Sequence, residues 1–345
     1  MNKLCVLIPA RNEELCIGGT IRSILAAGVQ PSNIYVIDDG STDRTGEIAR
    51  SLGANVLRNE KNVGKARGIR MATTHFGLES HYEFLALMDA DTRVAADYFE
   101  RIEEKFRDRP DVGLVFGRVK NLPHNWITAY RCIMYSFGQF VYKDAQSKMR
   151  VVTVAPGCSS VYRTKAFAQL DWNNDTIVED MDVTIQFNRK KLGRALYQSK
   201  AFVYTQDPRT LRDYIKQMYR WNTGTWQVGK KHRMLRGMAR LDWEYKLLMG
   251  EGIAFSLLFL LLPLWIWLWH AAVYAIPMDM AVFGIAAAGC AVTDRRPDAI
   301  LYAPFAVVLR VTDCAVFLYS FCETILFDRE IHGWFAVKRY EGVPE

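Results

Sequence analysis

Asn33-Ile34-Tyr35-Val36-Ile37-Asp38-Asp39-Gly40-Ser41-Thr42-Asp43 passes from an apolar segment directly into carboxylates, a glycine and helix-capping residues. The apolar half reads as a buried strand, and Ser, Thr and Asp are residues that start helices. Residues 4–8, 33–37, 54–57, 84–88 and 112–116 are all short apolar runs of the kind that form buried parallel strands. Between them Ile17, Ile21, Ile24 and Leu25, then Ile69, Ala72 and Phe76, then Phe99, Ile102 and Phe106 return at helical spacing. This alternation predicts an α/β layered domain with helices on both faces of the sheet. Ligands of such sheets bind at the carboxyl ends of the strands, where Asp38 and Asp89 fall.

Asp38 and Asp39 are adjacent carboxylates placed to accept hydrogen bonds from a base and a ribose. With Gly40 they also make an ordinary strand-to-helix turn. Asp89-Ala90-Asp91 puts two carboxylates on one side of an extended backbone, because strand side chains alternate. Mg2+ takes one or two carboxylates and completes its shell with substrate phosphates, so the triplet fits an ion on a diphosphate. A solvated acidic turn is the plainer alternative. Glu179-Asp180 opens a predicted helix, at the dipole end that favours an ionised carboxylate. Either residue would serve as a general base or simply as a cap. Gln217, Arg220 and Trp221 share a helix face at spacing i, i+3, i+4. Arginine offers phosphate a fork of donors, and tryptophan offers a sugar a flat surface. An amphipathic helix with a snorkelling arginine has the same spacing.

The chain has 345 residues, with 44 basic and 37 acidic side chains for a net charge of +7. A mean hydropathy of −0.05 conceals a change of composition near residue 240. Residues 253–274 are 22 positions without Asp, Glu, Lys or Arg, which is long enough to cross a bilayer. Residues 280–292 are apolar but short for a span, and residues 299–322 are long enough although Arg310 and Asp313 interrupt them. The expected organisation is a domain over residues 1–240 and a membrane domain over 241–345 with two or three transmembrane or re-entrant helices. Within 126–141, Trp126, Tyr130, Ile133, Phe137 and Val141 share one face, as in a core helix or an interfacial one.

Lys230-Lys231-His232-Arg233, Arg236 and Arg240 lie just before the first span, which marks the cytoplasmic side and suits anionic lipid headgroups. Lys338 and Arg339 favour the cytoplasm as well. Residues 4–8 lack the charged start and cleavage site of a secretory signal. We therefore expect a multi-pass protein of a cytoplasmic or inner (plasma) membrane with its catalytic domain in the cytoplasm. No recognised nucleic-acid module accompanies the basic charge, so nucleic acid is not an expected partner. Seven cysteines without paired ligand spacing predict reduced thiols.

Six segments occur in a fixed order: Ile8-Pro9-Ala10-Arg11-Asn12-Glu13-Glu14, Asp38-Asp39-Gly40, Asn62-Val63-Gly64-Lys65-Ala66, Asp89-Ala90-Asp91, Glu179-Asp180 and Gln217-x-x-Arg220-Trp221. Together they resemble the family 2 glycosyltransferases, above all the branch of cellulose, hyaluronan, chitin and poly-N-acetylglucosamine synthases. Ceramide glucosyltransferases share the last motif. The resemblance covers residues 4–226. It implies a GT-A fold, a Rossmann-like nucleotide-sugar-binding domain followed here by interfacial and C-terminal transmembrane helices. It also implies an inverting single displacement and a divalent metal, Mg2+ or Mn2+.

On the same resemblance, Pro9, Arg11, Asn12, Glu13, Asp38, Asp39, Gly40, Lys65, Asp89 and Ala90 would contact the donor. Asp91, with Asp89 beside it, would hold the metal. Asp180, with Glu179 beside it, would deprotonate the acceptor. Gln217, Arg220 and Trp221 would bracket the diphosphate and the terminal sugar. Gly157-Cys158 resembles the acceptor-facing turn, although Cys158 also reads as a buried thiol. The implied partners are a nucleotide-diphosphate sugar of the UDP type, a lipid or saccharide acceptor, and membrane lipids.

Polymer synthases of this branch usually carry more transmembrane helices than two or three. The acceptor is therefore expected to be a lipid or lipid-linked sugar, or else partner subunits or a homo-oligomer complete the assembly. A processive polysaccharide synthase and a catalytically silent nucleotide-sugar scaffold are the competing readings. Intact Asp91, Asp180 and Arg220 speak against silence.

Overall fold

A computed structural model describes residues 3–329 and 338–340. The chain forms two compact units, one of Met1–Lys120, Phe140–Gln206 and Arg339–Glu345, the other of Asn121–Gln139 and Asp207–Lys338. Compactness thus divides the chain elsewhere than the composition change near residue 240. The reason lies in two amphipathic helices, Trp126–Phe137 and Leu211–Lys231. Their Ile127, Tyr130, Ile133, Tyr214 and Met218 are buried with Phe283, Ala287 and Leu309 of the apolar helices that follow. Phe137 and Val141, the other end of the aromatic stripe, are exposed.

Eight strands, β1 (Leu4–Ala10), β2 (Ile34–Asp39), β3 (Asn55–Asn59), β4 (Phe84–Leu87), β5 (Arg93–Val94), β6 (Val112–Asn121), β7 (Ser160–Arg163) and β8 (Arg194–Thr205), form one sheet. Their order is β3-β2-β1-β4-β7-β6-β8-β5. The first four in this order are parallel, with Val6 opposite Ile34, Leu4 opposite Phe84 and Tyr35 opposite Asn55. β7 is antiparallel to both β4 and β6, and β5 is antiparallel to β8. Residues 112–116 therefore do not extend the parallel block as their composition led us to expect. An apolar run specifies burial and carries no strand direction.

Helices Ile17–Ala26, Lys65–His75 and Tyr98–Phe106 bury Ile17, Ile21 and Ile24, then Ala66, Ile69 and Ala72, then Phe99, Ile102 and Phe106. The core around them includes Leu7, Ile37, Leu87, Phe116, Phe167 and Phe187. Each such side chain contributes about 1.5–3 kcal/mol relative to exposure. This core fixes the register in which β2, β1 and β4 present their carboxyl ends side by side.

In the second unit, His270–Thr293 (24 residues) and Asp298–Leu326 (29 residues) are long and apolar enough to cross a membrane, each with a mean hydropathy of 1.7. Residues 280–292, short when read alone, belong to the first of these. The charge-free stretch 253–274 is not one straight span. Helices Arg240–Leu260 and Leu262–Leu268 meet at 63°, a broken span or re-entrant element. Pro263 sits in the first turn of the second piece, where it lacks the amide that a continuous helix requires. Trp267, Trp269, Tyr274, Ile285 and Val292 are exposed, an apolar surface suited to lipid. The charges inside the last segment are partnered. Arg310 pairs with Asp279 and lies 4.6 Å from the Phe255 ring centroid. Asp313 accepts hydrogen bonds from Tyr130 at 2.7 Å and Tyr214 at 2.6 Å. Ionisable groups within an apolar helical segment are stabilised when paired in this way.

Candidate active site

At the end of β2 the chain must turn sharply, and Gly40 takes φ +70° to do so. A Cβ there would come within 2.8 Å of the Asn62 amide nitrogen. Asp38 is buried, with Oδ1 accepting from the Ser41 amide at 3.0 Å and Oδ2 lying 3.7 Å from Arg58 Nε. Gly46 leaves it room, since a Cβ at that position would stand 2.6 Å from Asp38 Oδ2. Gly46→Ala is accordingly expected to displace Asp38 and destabilise the unit by about 1–3 kcal/mol. A lowered thermal unfolding midpoint in detergent is the check.

The turn after β1 is laced to the same loop. Asn12, at φ 55°, accepts the Thr42 amide at 2.8 Å and donates its own amide to Ser41 Oγ at 3.0 Å. The Glu13 amide donates to Thr45 Oγ1 at 2.8 Å. Pro9 is half-buried and Arg11 exposed. Asp39 faces inward. It accepts Asn59 Nδ2, the Val63 amide and the Gly64 amide, each at 2.9 Å, and so holds the loop that delivers Lys65.

Lys65 begins its helix with Nζ 2.7 Å from Asp89 Oδ1 and 2.6 Å from Glu179 Oε1. Burial pulls the ammonium pKa down, but the two carboxylates outweigh it and the pKa rises. Arg339 holds the neighbouring acids. Its Nη1 lies 2.6 Å from Asp91 Oδ2, its Nη2 2.7 Å from Glu13 Oε1, and its Nε contacts both Glu13 oxygens at 2.8 and 2.9 Å. Burial nevertheless pushes Glu13 up to about 7 against the pull of Arg339. Asp91 is raised by burial, opposed by Arg339 and reinforced by Asp89.

Asp180 lies in the first turn of helix Glu179–Arg189, with Oδ1 on the Met181 amide at 2.8 Å and Oδ2 on the Gly157 amide at 3.3 Å. A Cβ on Gly157 would be 3.5 Å from Lys65 Nζ, 3.6 Å from Asp180 Cβ and 3.9 Å from Glu179 Oε1, so these groups meet at one point. Cys158 beside it is buried, and its thiol is pushed well above the usual range by burial and then by Asp89, Asp91 and Asp180. It is a neutral thiol there. Ala90 is buried, its carbonyl accepting from Thr20 Oγ1 at 2.7 Å. Among the described residues the cluster sets five carboxylates, Glu13, Asp89, Asp91, Glu179 and Asp180, against two cations, Lys65 and Arg339.

In the second unit, Gln217, Arg220 and Trp221 lie on helix Leu211–Lys231, whose first turn Thr210 caps. Gln217 Oε1 and Arg220 Nε are buried with no hydrogen-bond partner among the described residues. Buried polar atoms without partners are uncommon, and bound ligands are one way they are satisfied.

Residues 5–171 match the family described as Glycosyl transferase family 2. That stretch, just under half of the chain, is similar to the family 2 glycosyltransferases. It is 26% identical over 229 residues to the poly-beta-1,6-N-acetyl-D-glucosamine synthases of Staphylococcus aureus and Staphylococcus epidermidis, a match covering 64% of this chain and 54% of theirs. The chain thus spans about half the length of the curated relatives it matches. A mannosyltransferase of Pyrobaculum calidifontis, solved in complex with GDP-Man and Mn2+, has the same fold with a TM-score of 0.60 and 20% identity. That likeness covers 95% of this chain and 88% of the other. The mixed sheet is therefore the GT-A fold.

The acids of this cluster offer only oxygen donors, the chemistry a hard divalent cation takes. They are not gathered into a closed cage, since Lys65 engages Asp89 and Arg339 engages Asp91. Such an open set fits an ion that draws its remaining ligands from substrate phosphates and water. Among the described residues, a group of three ligand atoms within 4.8 Å of one another is Cys132, Cys290 and Asp294, in the second unit. Arg339 is the site residue that sequence reading missed. It counted there only as a charge for topology, and no local pattern ties it to Glu13, 326 residues away.

Proposed function

We propose that this protein is a membrane-anchored inverting glycosyltransferase that moves a sugar from a nucleotide-diphosphate sugar, of the UDP class, to a lipid or saccharide acceptor at the membrane. Asp180 carries the reading. It is a buried carboxylate held by two amides, with its pKa raised to about 6 by burial and then by Glu179. Such a group is ionised at neutral pH yet basic enough to take a proton, which is what a general base requires.

In the proposed reaction the Asp180 carboxylate removes the acceptor hydroxyl proton. The acceptor oxygen bonds to the anomeric carbon on the face away from the nucleotide. The bond from that carbon to the diphosphate oxygen breaks, and the nucleoside diphosphate leaves with the electron pair. An α-linked donor gives a β-glycoside. When bound, Mg2+ or Mn2+ neutralises charge growing on the diphosphate, with Asp91 and Asp89 as its protein ligands. Glu13, Asp38 and the Asn12 turn serve the nucleotide, and Asp39 positions Lys65 rather than touching the donor. On the resemblance to the family, Gln217, Arg220 and Trp221 would bracket the diphosphate and the acceptor's terminal sugar. The basic run ending at Arg240 supports a cytoplasmic catalytic face.

The deciding experiment incubates the purified protein in detergent with Mn2+, a panel of UDP- and GDP-sugars, and lipid and oligosaccharide acceptors, and weighs the products. We expect release of one nucleoside diphosphate per sugar added. A product longer by many sugars would identify a processive synthase, the activity for which the staphylococcal relatives are named. Donor binding without transfer across the panel would leave only the silent scaffold.

A further inference from the structure

We infer that Arg131 is a positioning residue for the acceptor site, acting by clamping the ring of Trp221. This rests on the acceptor role proposed above for Trp221. The guanidinium carbon of Arg131 lies 4.4 Å from the ring centroid of Trp221 and 4.4 Å from that of Tyr135, so one cation contacts both aromatic rings. Arg131 is buried, and Trp221 is partly exposed. A buried cation must be paired, and this one is. Its Nε and Nη2 both lie 3.4 Å from Asp207 Oδ1, which also accepts from Tyr135 OH at 3.2 Å.

The clamp is anchored further along a continuous chain of bonds. Asp207 Oδ2 accepts from Asn121 Nδ2 at 2.6 Å, and Asn121 Oδ1 accepts from Arg296 Nη1 at 2.8 Å. Arg296 in turn forks onto Asp298 at 2.8 and 2.7 Å. Each charge in this series meets an opposite charge or an amide, so the guanidinium has little freedom to turn. A planar cation fixed on both sides fixes the plane of any ring stacked on it. An indole can rotate about two side-chain bonds, and a sugar platform works only when its plane is set before the sugar arrives. A lysine at this position would keep the charge and lose the planar face and the fork of donors.

The test has a ligand-free arm and a kinetic arm. The protein, whose sequence has nine tryptophans, is labelled with 5-fluorotryptophan, and the Trp221 resonance is assigned by its loss in Trp221→Phe. In Arg131→Met, and in Tyr135→Leu should Arg131→Met fail to fold, the Trp221 resonance should shift while those of tryptophans far from the clamp stay in place. A stationary Trp221 resonance, or movement of all the resonances together, overturns the inference. With octyl β-D-glucoside as acceptor, Arg131→Met should raise the acceptor KM about tenfold and leave donor affinity and kcat near wild type. Arg131→Lys should recover part of that loss. In a Trp221→Ala background the same change should have no further effect, because the residue acts through the ring. An equal rise in that background overturns the clamp and leaves the acceptor role of Trp221 standing. If Trp221→Ala itself leaves the acceptor KM unchanged, the acceptor role fails and the positioning role falls with it.

Discussion

Asp180→Asn is expected to slow sugar transfer by about 100- to 10,000-fold, the range a positioned general base contributes, with nucleotide-sugar affinity unchanged. The amide keeps the shape, and its one oxygen can still accept one of the Met181 and Gly157 amides that hold the carboxylate, while its NH2 replaces the oxygen that accepted the other. What it cannot do is take a proton from a hydroxyl. The same assignment dictates a pH profile. Burial, then Glu179, raise the Asp180 pKa from the ordinary carboxylate range to about 6. The base works only when ionised, so kcat should be flat above that value and fall with decreasing pH below it. Asp180→Asn should lack this acid limb. A variant that transfers at the normal rate, or a wild-type profile without the limb, would remove Asp180 from the role. Glu179 serves as the control. It is bonded to Lys65 at 2.6 Å, so Glu179→Gln should weaken donor binding through Lys65 and keep an acid limb, moved to lower pH because Glu179 no longer raises the Asp180 pKa.

The parallel half of the sheet was legible because each of its strands is an apolar run ending in a turn, and the carboxylates sit where the runs end. Asp38, Asp89, Asp91 and Glu179 stood out as candidates for the same reason, since each stands beside a boundary between elements, whereas Lys65 entered only through the resemblance to a known family. The other half was not. β7 is only Ser160–Arg163, too short for a period to declare itself, and the reversal it introduces leaves no mark on β6. Asp39 looked equivalent to Asp38 in sequence, and only the closing of residues 59–64 around it assigns its oxygens to the protein's own amides. The 253–274 stretch read as one span because charge was counted and Pro263 was not. Arg131 was hidden by its own helix, where one cation among aromatics reads as an exception until its partners at Asp207 and Trp221 are brought to it.

Chelation of divalent metal is expected to stop turnover, and Asp91→Ala should reproduce the loss with metal supplied. The geometry adds a sharper expectation. Asp91 Oδ2 is 2.6 Å from Arg339 Nη1, and that guanidinium also grips both oxygens of Glu13. An arginine and a divalent ion are two cations offered to one buried carboxylate, and a carboxylate oxygen already bonded to the first is a poorer ligand for the second. Arg339→Gln should therefore bind Mn2+ more tightly, by about tenfold or ~1.4 kcal/mol, read from the paramagnetic resonance of free Mn2+ without any substrate. The titration belongs at alkaline pH. Glu13 stands at about 7 with Arg339 already lowering its pKa, so removing the arginine raises that pKa further and would let protons compete with the metal. Adding Asp91→Ala to Arg339→Gln should abolish the gain, which ties it to the one carboxylate. Weaker Mn2+ binding in Arg339→Gln would mean that the arginine orients Asp91 for the ion instead of opposing it. Undiminished turnover in EDTA would remove the metal from the mechanism and leave Arg339 and Lys65 as the cations that face the diphosphate.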